Sequence, residues 1–83
     1  MSESAWLIVA TPDGTLARYV SSTCALVETG MTPTDAVALC RDKYHMSPAR
    51  ATQKVQWGIE AGSARWHVVC QAIAAHHATQ GVA

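Results

Sequence analysis

Two helix starts lie close together in this 83-residue sequence, and they constrain its fold more than any other feature. In each, a hydroxyl residue precedes proline: Thr32 before Pro33, and Ser47 before Pro48. The hydroxyl can cap a helix, and proline suits the first helical position because the N–H that it lacks would be unpaired there. The predicted helices span residues 33–44 and 48–61. The break between them is so short that they must form a helix-turn-helix corner.

The first twenty residues favour a β-hairpin. The run from Trp6 to Ala10 has β-favouring apolar side chains, and the proline, aspartate and glycine that follow it suit a tight turn. The segment from Leu16 to Val20 supplies a return strand, although its spacing also fits a helix that starts at Thr15. We prefer a hairpin over about residues 5–20, because a lone strand would have no partner within the chain.

Two more helices are predicted on either side of the corner. Before it, Ser21 or Ser22 can cap a short helix, and Gly30 is placed to end that helix in the left-handed conformation. After it, Ser63 can cap a longer helix. The predicted bounds are about 22–29 and 64–79. A strand over residues 64–69, as in a winged domain, is the competing interpretation of the last segment.

Apolar spacing within these helices predicts a small bundle. Ala51, Val55 and Ile59 repeat at helical spacing and are expected to face inward. The last helix carries a comparable stripe, Trp66, Val69, Cys70 and Ile73. We therefore predict a single domain over residues 1–83 that is mostly α (α+β). It would consist of a short N-terminal β-hairpin followed by a compact three- to four-helix, helix-turn-helix-like bundle.

Composition limits the class of protein. Hydrophobic residues make up 49% of the chain and charged residues only 14%, which excludes an intrinsically disordered segment. Alanine is abundant and phenylalanine is absent, so the core must be thin and self-association is expected. The longest apolar run, from Ala5 to Ala10, is too short to cross a membrane. Three cysteines without a CxxC pair or a signal peptide indicate a reduced, cytoplasmic protein.

The charged residues are unevenly distributed, although the formal net charge is zero. Residues 41–65 contain five basic and two acidic residues, a net charge of +3, whereas the remainder of the chain carries −3. Clustered basic residues attract polyanions. Residues 41–65 are therefore a candidate anion-binding surface.

A further pattern surrounds the second helix cap. It consists of an apolar residue before the cap, two apolar positions after it and a glycine at the helix end. The matching residues are Met46, Ser47, Ala51, Val55 and Gly62. This pattern, within residues 32–66, resembles the helix-turn-helix core of bacterial repressors of the winged GntR type. The resemblance implies a small helix-turn-helix protein that binds double-stranded DNA. The small size of the chain favours a transcription regulator of phage or mobile-element type, and the few contacts of a single corner favour a homodimer. A helical corner without a nucleic-acid partner is the alternative.

A recognition helix reads bases through its outward side chains, while neighbouring polar residues contact phosphates. The expected base contacts are Arg50, Gln53 and Lys54. The expected phosphate contacts are Lys43, His45, Thr52 and Arg65. Arg50 suits a bidentate contact with guanine, and Gln53 suits a contact with adenine.

A second hypothesis is a non-catalytic protein-binding module, such as a small phage-borne inhibitor of a host protein. Trp57 lies off the inward stripe and is a candidate anchor of such an interface. No nucleophile motif, phosphate-binding loop or dinucleotide glycine pattern occurs, so we expect no enzyme activity. The four histidines and three cysteines lack zinc-site spacing, so we expect no metal and no cofactor.

Overall fold

Within residues 5–81, which the computed structural model describes, the chain forms a three-stranded antiparallel sheet followed by two helices. The elements are β1 Trp6–Ala10, β2 Leu16–Val20, β3 Ala25–Met31, α1 Pro33–Tyr44 and α2 Pro48–Gly81. The strand order is β1-β2-β3, so β1 and β3 form the edges of the sheet. The sheet, rather than additional helices, supplies the layer against which both helices pack.

The predicted N-terminal hairpin is confirmed. β1 and β2 pair antiparallel, and Gly14 closes the turn with a left-handed φ of 88°. The Thr11 N–H donates to the Thr15 carbonyl at 2.9 Å, and the Gly14 N–H donates to the Thr11 carbonyl at 3.1 Å. The Asp13 carboxylate accepts hydrogen bonds from the Thr15 N–H at 3.0 Å, from the Thr15 hydroxyl at 2.6 Å and from the Thr11 hydroxyl. This carboxylate therefore fastens both sides of the turn.

The hydrogen bonds to Asp13, led by that of the Thr11 hydroxyl, lower the pKa of its carboxyl from 3.8 to about 2. The charged form accepts these bonds, so their stabilising contribution is complete above pH 3.8 and is lost as the pH falls through about 2. NMR titration of the Asp13 carboxyl carbon should give a pKa close to 2. In a Thr11→Val variant the pKa should rise toward 3.8. Identical titrations in the two proteins would contradict this description of the turn.

The two corner helices begin where the sequence predicts. At the start of α1, the Asp35 N–H donates to the Thr32 hydroxyl at 3.1 Å, and the Thr32 N–H donates to the Asp35 carboxylate at 3.3 Å. At the start of α2, the Ser47 hydroxyl accepts from the Arg50 N–H at 3.3 Å. His45 ends α1 with a left-handed φ of 55°. This residue turns the chain from one helix into the next.

The helix predicted over residues 22–29 is wrong, because this segment enters β3. Cys24 has a left-handed φ of 54° and ends the turn after β2, so the chain continues in an extended conformation. Gly30, which was expected to end a helix, has a φ of 72° inside the strand, where the pairing of β2 with β3 loses its regular register. Such bulges twist an edge strand and make it a poorer template for pairing with another chain.

The predicted bundle of three to four helices is also wrong, because the helices expected over residues 48–61 and 64–79 are joined in α2. Gly62 lies at the junction with a φ of 53° and a ψ of −138°, angles that residues with a Cβ rarely adopt. The chain changes direction at this glycine and remains helical beyond it. The first part of α2 therefore does end at Gly62, but the second part follows across a kink without an intervening loop.

The kink lets α2 cover both faces of the sheet, because successive side chains of a strand point to opposite faces. On one face, Ile8 belongs to a buried cluster with Ala51 and Val55 from the first part of α2, and residues of α1 complete this cluster. On the opposite face, Val9 belongs to a second cluster with Val69 from the second part of α2. One helix therefore closes two cores.

Two residues that the apolar spacing placed inward are exposed instead. The side chain of Ile59 is 39% exposed, and Cys70 is also exposed. Gly58 faces the sheet in place of Ile59 and is buried. The apolar pattern misses this position because glycine carries no side chain that would signal a buried residue.

α2 crosses the outer edge of β1 at Gly58. The Thr11 N–H and the Ala5 carbonyl both form hydrogen bonds toward the side of β2. Along an antiparallel pair, residues that bond to the partner strand alternate with residues that do not, so the Ile8 carbonyl points away from β2 and out of the sheet. Gly58 lies so close to this carbonyl that a Cβ at position 58 would overlap its oxygen. Arg65, further along α2, donates from Nη1 to the same oxygen at 3.1 Å. The helix therefore covers the backbone at the sheet edge.

Replacement of Gly58 by alanine tests this crossing. Alanine favours a helix by about 1 kcal/mol relative to glycine, yet its methyl group must push α2 away from β1. We expect a net loss of about 1–3 kcal/mol in the free energy of unfolding, measured by urea denaturation. Gln53→Ala, at an exposed position of the same helix, is the control and should change this free energy by less than about 0.5 kcal/mol. A stabilised Gly58→Ala variant would disprove the close approach.

Candidate nucleic-acid interface

One side of α2 carries a group of cations, Arg50, Lys54 and Arg65, that we call the basic stripe. Arg50 and Lys54 are four residues apart and are therefore neighbours on the helix surface. Arg65 lies beyond the kink, yet its charge acts on Lys54 as that of Arg50 does. The only ion pair within 4.0 Å between residues 5 and 81 joins Arg18 to Glu28. The basic stripe therefore has no neutralising carboxylate in this part of the chain.

Lys54, a predicted base contact, is held against the sheet. Its ammonium nitrogen lies 4.0 Å from the ring centroid of Trp6, which is a cation–π contact. Burial lowers the pKa of the Lys54 ammonium, and the positive charges of Arg65 and Arg50 lower it further. Lys54 contributes charge to the basic stripe, but its head group is already occupied by an aromatic ring.

Trp6 is one member of a row of five side chains that we call the side-chain ladder: Lys54, Trp6, Tyr44, Arg18 and Glu28. The rings of Trp6 and Tyr44 stack with their centroids 3.9 Å apart and their planes at 10°. Arg18 donates to the Tyr44 hydroxyl, and its guanidinium carbon lies 5.5 Å from the Tyr44 ring centroid. Arg18 Nε also donates to Glu28 Oε1 at 2.5 Å. Each strand and each helix contributes one member of the ladder.

The side-chain ladder could not be predicted from spacing, because its members lie on five different elements. One signal was nevertheless present in the sequence. Arg18 interrupts the apolar strand β2, and its side chain is only 8% exposed. A buried charge requires a partner, so this arginine indicated an acidic residue on a neighbouring strand. Glu28 meets that requirement.

Tyr44→Phe tests the ladder because it removes the hydroxyl that Arg18 contacts and keeps the ring that stacks on Trp6. A buried guanidinium then loses a hydrogen-bond partner, so we expect the free energy of unfolding to fall by about 1.5–3 kcal/mol. The matched control is Tyr19→Phe, whose hydroxyl has one hydrogen-bond partner among the described residues, the Cys24 thiol at 3.4 Å, which is a weak partner. Thermal or urea unfolding should show the smaller loss for the control. Equal losses would argue against a special role for the Arg18 contact.

Four of the predicted DNA contacts are exposed around the helix-turn-helix corner. Arg50 and Gln53 lie in the first turns of α2, and both side chains are exposed. Lys43 and His45 are exposed at the end of α1. None of the four has a hydrogen bond or ion pair of its side chain with another residue of the part that the structure describes. These side chains are free to meet a ligand.

The other predicted contacts lie in different surroundings. Thr52 is exposed but lines a groove between α1 and α2. Arg65 is half-buried, and one donor of its guanidinium is taken by the Ile8 carbonyl. Trp57, the predicted protein anchor, is 54% exposed and lies three residues beyond Lys54 on the same side of α2 as the basic stripe. The predicted set is therefore divided: Lys43 and His45 lie at the end of α1, and the members on α2 are split between its two flanks.

The cysteines are free thiols in different surroundings. Cys40 is buried, and this burial raises the pKa of its thiol. The Cys24 thiol lies 3.3 Å from the Ala72 carbonyl and links the turn before β3 to the second part of α2. Within residues 5–81, no group of three or more histidine, cysteine, aspartate or glutamate side chains is arranged to hold a metal ion.

Comparison with known proteins gives no significant match to a family model, a curated protein or a solved structure. Among the described helices, none combines the length and the apolar character needed to cross a membrane.

Proposed function

We propose that this protein binds double-stranded DNA through the basic stripe and the helix-turn-helix corner. The observation that carries the proposal is the grouping of Arg50, Lys54 and Arg65 without a carboxylate at ion-pair distance in residues 5–81. Like charges that are held together repel one another, and a polyanion relieves that repulsion while it releases condensed counterions. Duplex DNA offers about one negative charge per 1.7 Å of helix axis, which is a dense enough array to meet all three cations.

Base reading is proposed for two exposed residues near the start of α2. A recognition helix enters the major groove by its N-terminal half, and Arg50 and Gln53 occupy that half. Lys43 and His45 flank the corner and would contact phosphates. Lys54 holds the Trp6 ring, so we assign to it a contribution of charge to the surface rather than the reading of a base.

We further propose that the protein acts as a homodimer and regulates transcription in the cytoplasm. A single corner with two base-reading side chains offers few contacts and little discrimination among sequences. Two copies bound to two half-sites would double the number of contacts and increase the discrimination among sequences, as in dimeric helix-turn-helix proteins. The three free thiols are compatible with a reducing compartment.

Protein binding is the second candidate, and it is supported by the exposure of Trp57. A tryptophan that is 54% exposed leaves much apolar surface in contact with water, which is unfavourable. Tryptophan is also enriched among the residues that anchor protein interfaces. A partner that buried Trp57 would also meet Lys54 and would therefore gain from acidic residues. This alternative shares the non-catalytic character of the first proposal.

DNA binding is tested by fluorescence anisotropy with a labelled duplex of mixed sequence. We expect binding at about 50 mM salt that weakens steeply as salt is added, with a log–log slope of about −0.9 for each neutralised phosphate. Arg50→Ala should weaken binding and make this slope shallower by about 0.9 if Arg50 also neutralises a phosphate, and should lower the preference for a selected site if it reads a base.

Arg41→Ala is the matched control, because it removes the same charge from the α1 side of the groove, away from the basic stripe. Its salt slope should stay close to that of the natural protein. Equal effects of the Arg50 and Arg41 substitutions would indicate attraction by net charge alone. Absence of binding at about 50 mM salt, in protein whose circular dichroism is intact, would exclude the DNA proposal.

A further inference from the structure

A groove of about 370 Å³ separates α1 from the first part of α2. Its floor is formed by Val37, Val55 and Ile59, and its rim includes Arg41, Thr52 and Gln56. Thr52 is two residues from both Arg50 and Lys54, which corresponds to about 200° around a helix. The groove and the basic stripe therefore lie on opposite flanks of α2.

The apolar floor of the groove is only partly covered. Val55 is 3% exposed, but Ile59, one turn further along α2, is 39% exposed. Val37 faces it from α1 and is half-buried. The apolar row that packs α2 against the sheet therefore continues onto an open surface, where burial by a partner would be favourable.

Arg41 gives this apolar groove its charge preference. Among the described residues that line the groove it is the only charged one, and its side chain is exposed. No carboxylate lies within ion-pair distance of it in residues 5–81. A partner that filled the groove would therefore gain by placing a carboxylate beside Arg41, because complementary charges at an interface favour the matching partner over others.

We propose that this groove binds an amphipathic helix of another protein, with an aspartate or glutamate of that helix beside Arg41. Beyond the first turn of α1, the walls of the groove are helices whose backbone groups are bonded internally, so they offer an extended peptide few main-chain partners. A helix satisfies its own backbone and presents apolar side chains at i, i+3 or i+4, and i+7, which suits a groove between helices. The length of α1, 12 residues or about 18 Å, matches about three turns of such a helix.

The occupant is a foreign helix rather than a second copy of this chain. Among the described residues, the helical side chains that are large, apolar and exposed are Trp57, Ile59 and Val68. Val68 belongs to the second part of α2, and no acidic residue occurs from position 63 to position 81. That part of the helix has no carboxylate to offer Arg41. Trp57 lies beside the cations of the basic stripe, which would repel Arg41. Ile59 is itself part of the groove, and the carboxylate next to it, Glu60, accepts a hydrogen bond from Gln56 of its own chain at 3.4 Å.

The inference does not rest on DNA binding, because it uses the other flank of α2. It is tested by selecting a displayed library of helix-favouring peptides against the intact protein. The recovered peptides should carry apolar residues at i, i+3 or i+4, and i+7, with acidic residues on an adjacent side. On titration with a recovered peptide, NMR shifts should change at Val37, Ala38 and Ile59.

Four variants make the test specific. Ile59→Ser should weaken binding of the recovered peptide at least about tenfold. Arg41→Ala should weaken it about two- to fivefold, whereas Arg50→Ala should leave it unchanged. The Arg41→Glu variant should reverse the preference, binding the peptide better when its acidic residues are replaced by lysine. The exposed substitution Ala38→Glu should repel the acidic peptide without affecting the core, which separates loss of binding from loss of folding.

Three outcomes would overturn the inference. The first is a selection that yields no peptide. The second is a set of peptides whose NMR shifts map to Trp57 or Val68 instead of the groove. The third is a recovered peptide that binds equally well with acidic residues or lysine, because Arg41 would then have no part in recognition.

Discussion

The contact between α2 and the Ile8 carbonyl is the constraint on which the rest of the structure depends. β1 is an edge strand, so its outward backbone groups need cover, and the helix can supply it only where it has no side chain, at Gly58. Arg65 then satisfies the carbonyl, and the kink at Gly62 carries the helix around the edge. This crossing fixes the rotation of α2. The rotation in turn directs the basic stripe to one flank and Ile59 to the other.

The side-chain ladder compensates for a thin core. An alanine-rich chain without phenylalanine has few large apolar side chains, and the ladder brings Trp6 and Tyr44 together with the buried charge of Arg18. Because one member comes from each element, the ladder favours one relative placement of sheet and helices over others.

The exposure of Arg50 and Gln53 followed from helical spacing alone, whereas the contacts that occupy Lys54 and Arg65 depend on residues distant in the sequence. Candidate contacts are thus predictable from the sequence, but their availability is not.

The fold was predictable where the signals are local and unpredictable where one residue has two structural meanings. The hairpin turn and both helix caps are encoded within five residues, and all three occur as predicted. The sequence predicts a helix end at both Gly30 and Gly62, because a positive φ is typical of that position. In the structure, Gly30 accommodates an irregular strand and Gly62 a helix kink. Which of these occurs depends on the partner surface, and no short segment of sequence contains that information.

The wrapping of one helix around both faces of the sheet also dictates the order of assembly. During synthesis β1 leaves the ribosome before the second part of α2, so the hairpin face that bears Val9 and Tyr19 stays uncovered until that part of α2 has been made. Closing so long a loop is slow relative to pairing of the hairpin. The nascent chain therefore passes through a stage with an apolar sheet face and an open strand edge, the state in which β-proteins aggregate most readily. Protection of this face and of the β1 edge therefore requires that α2 fold around the sheet.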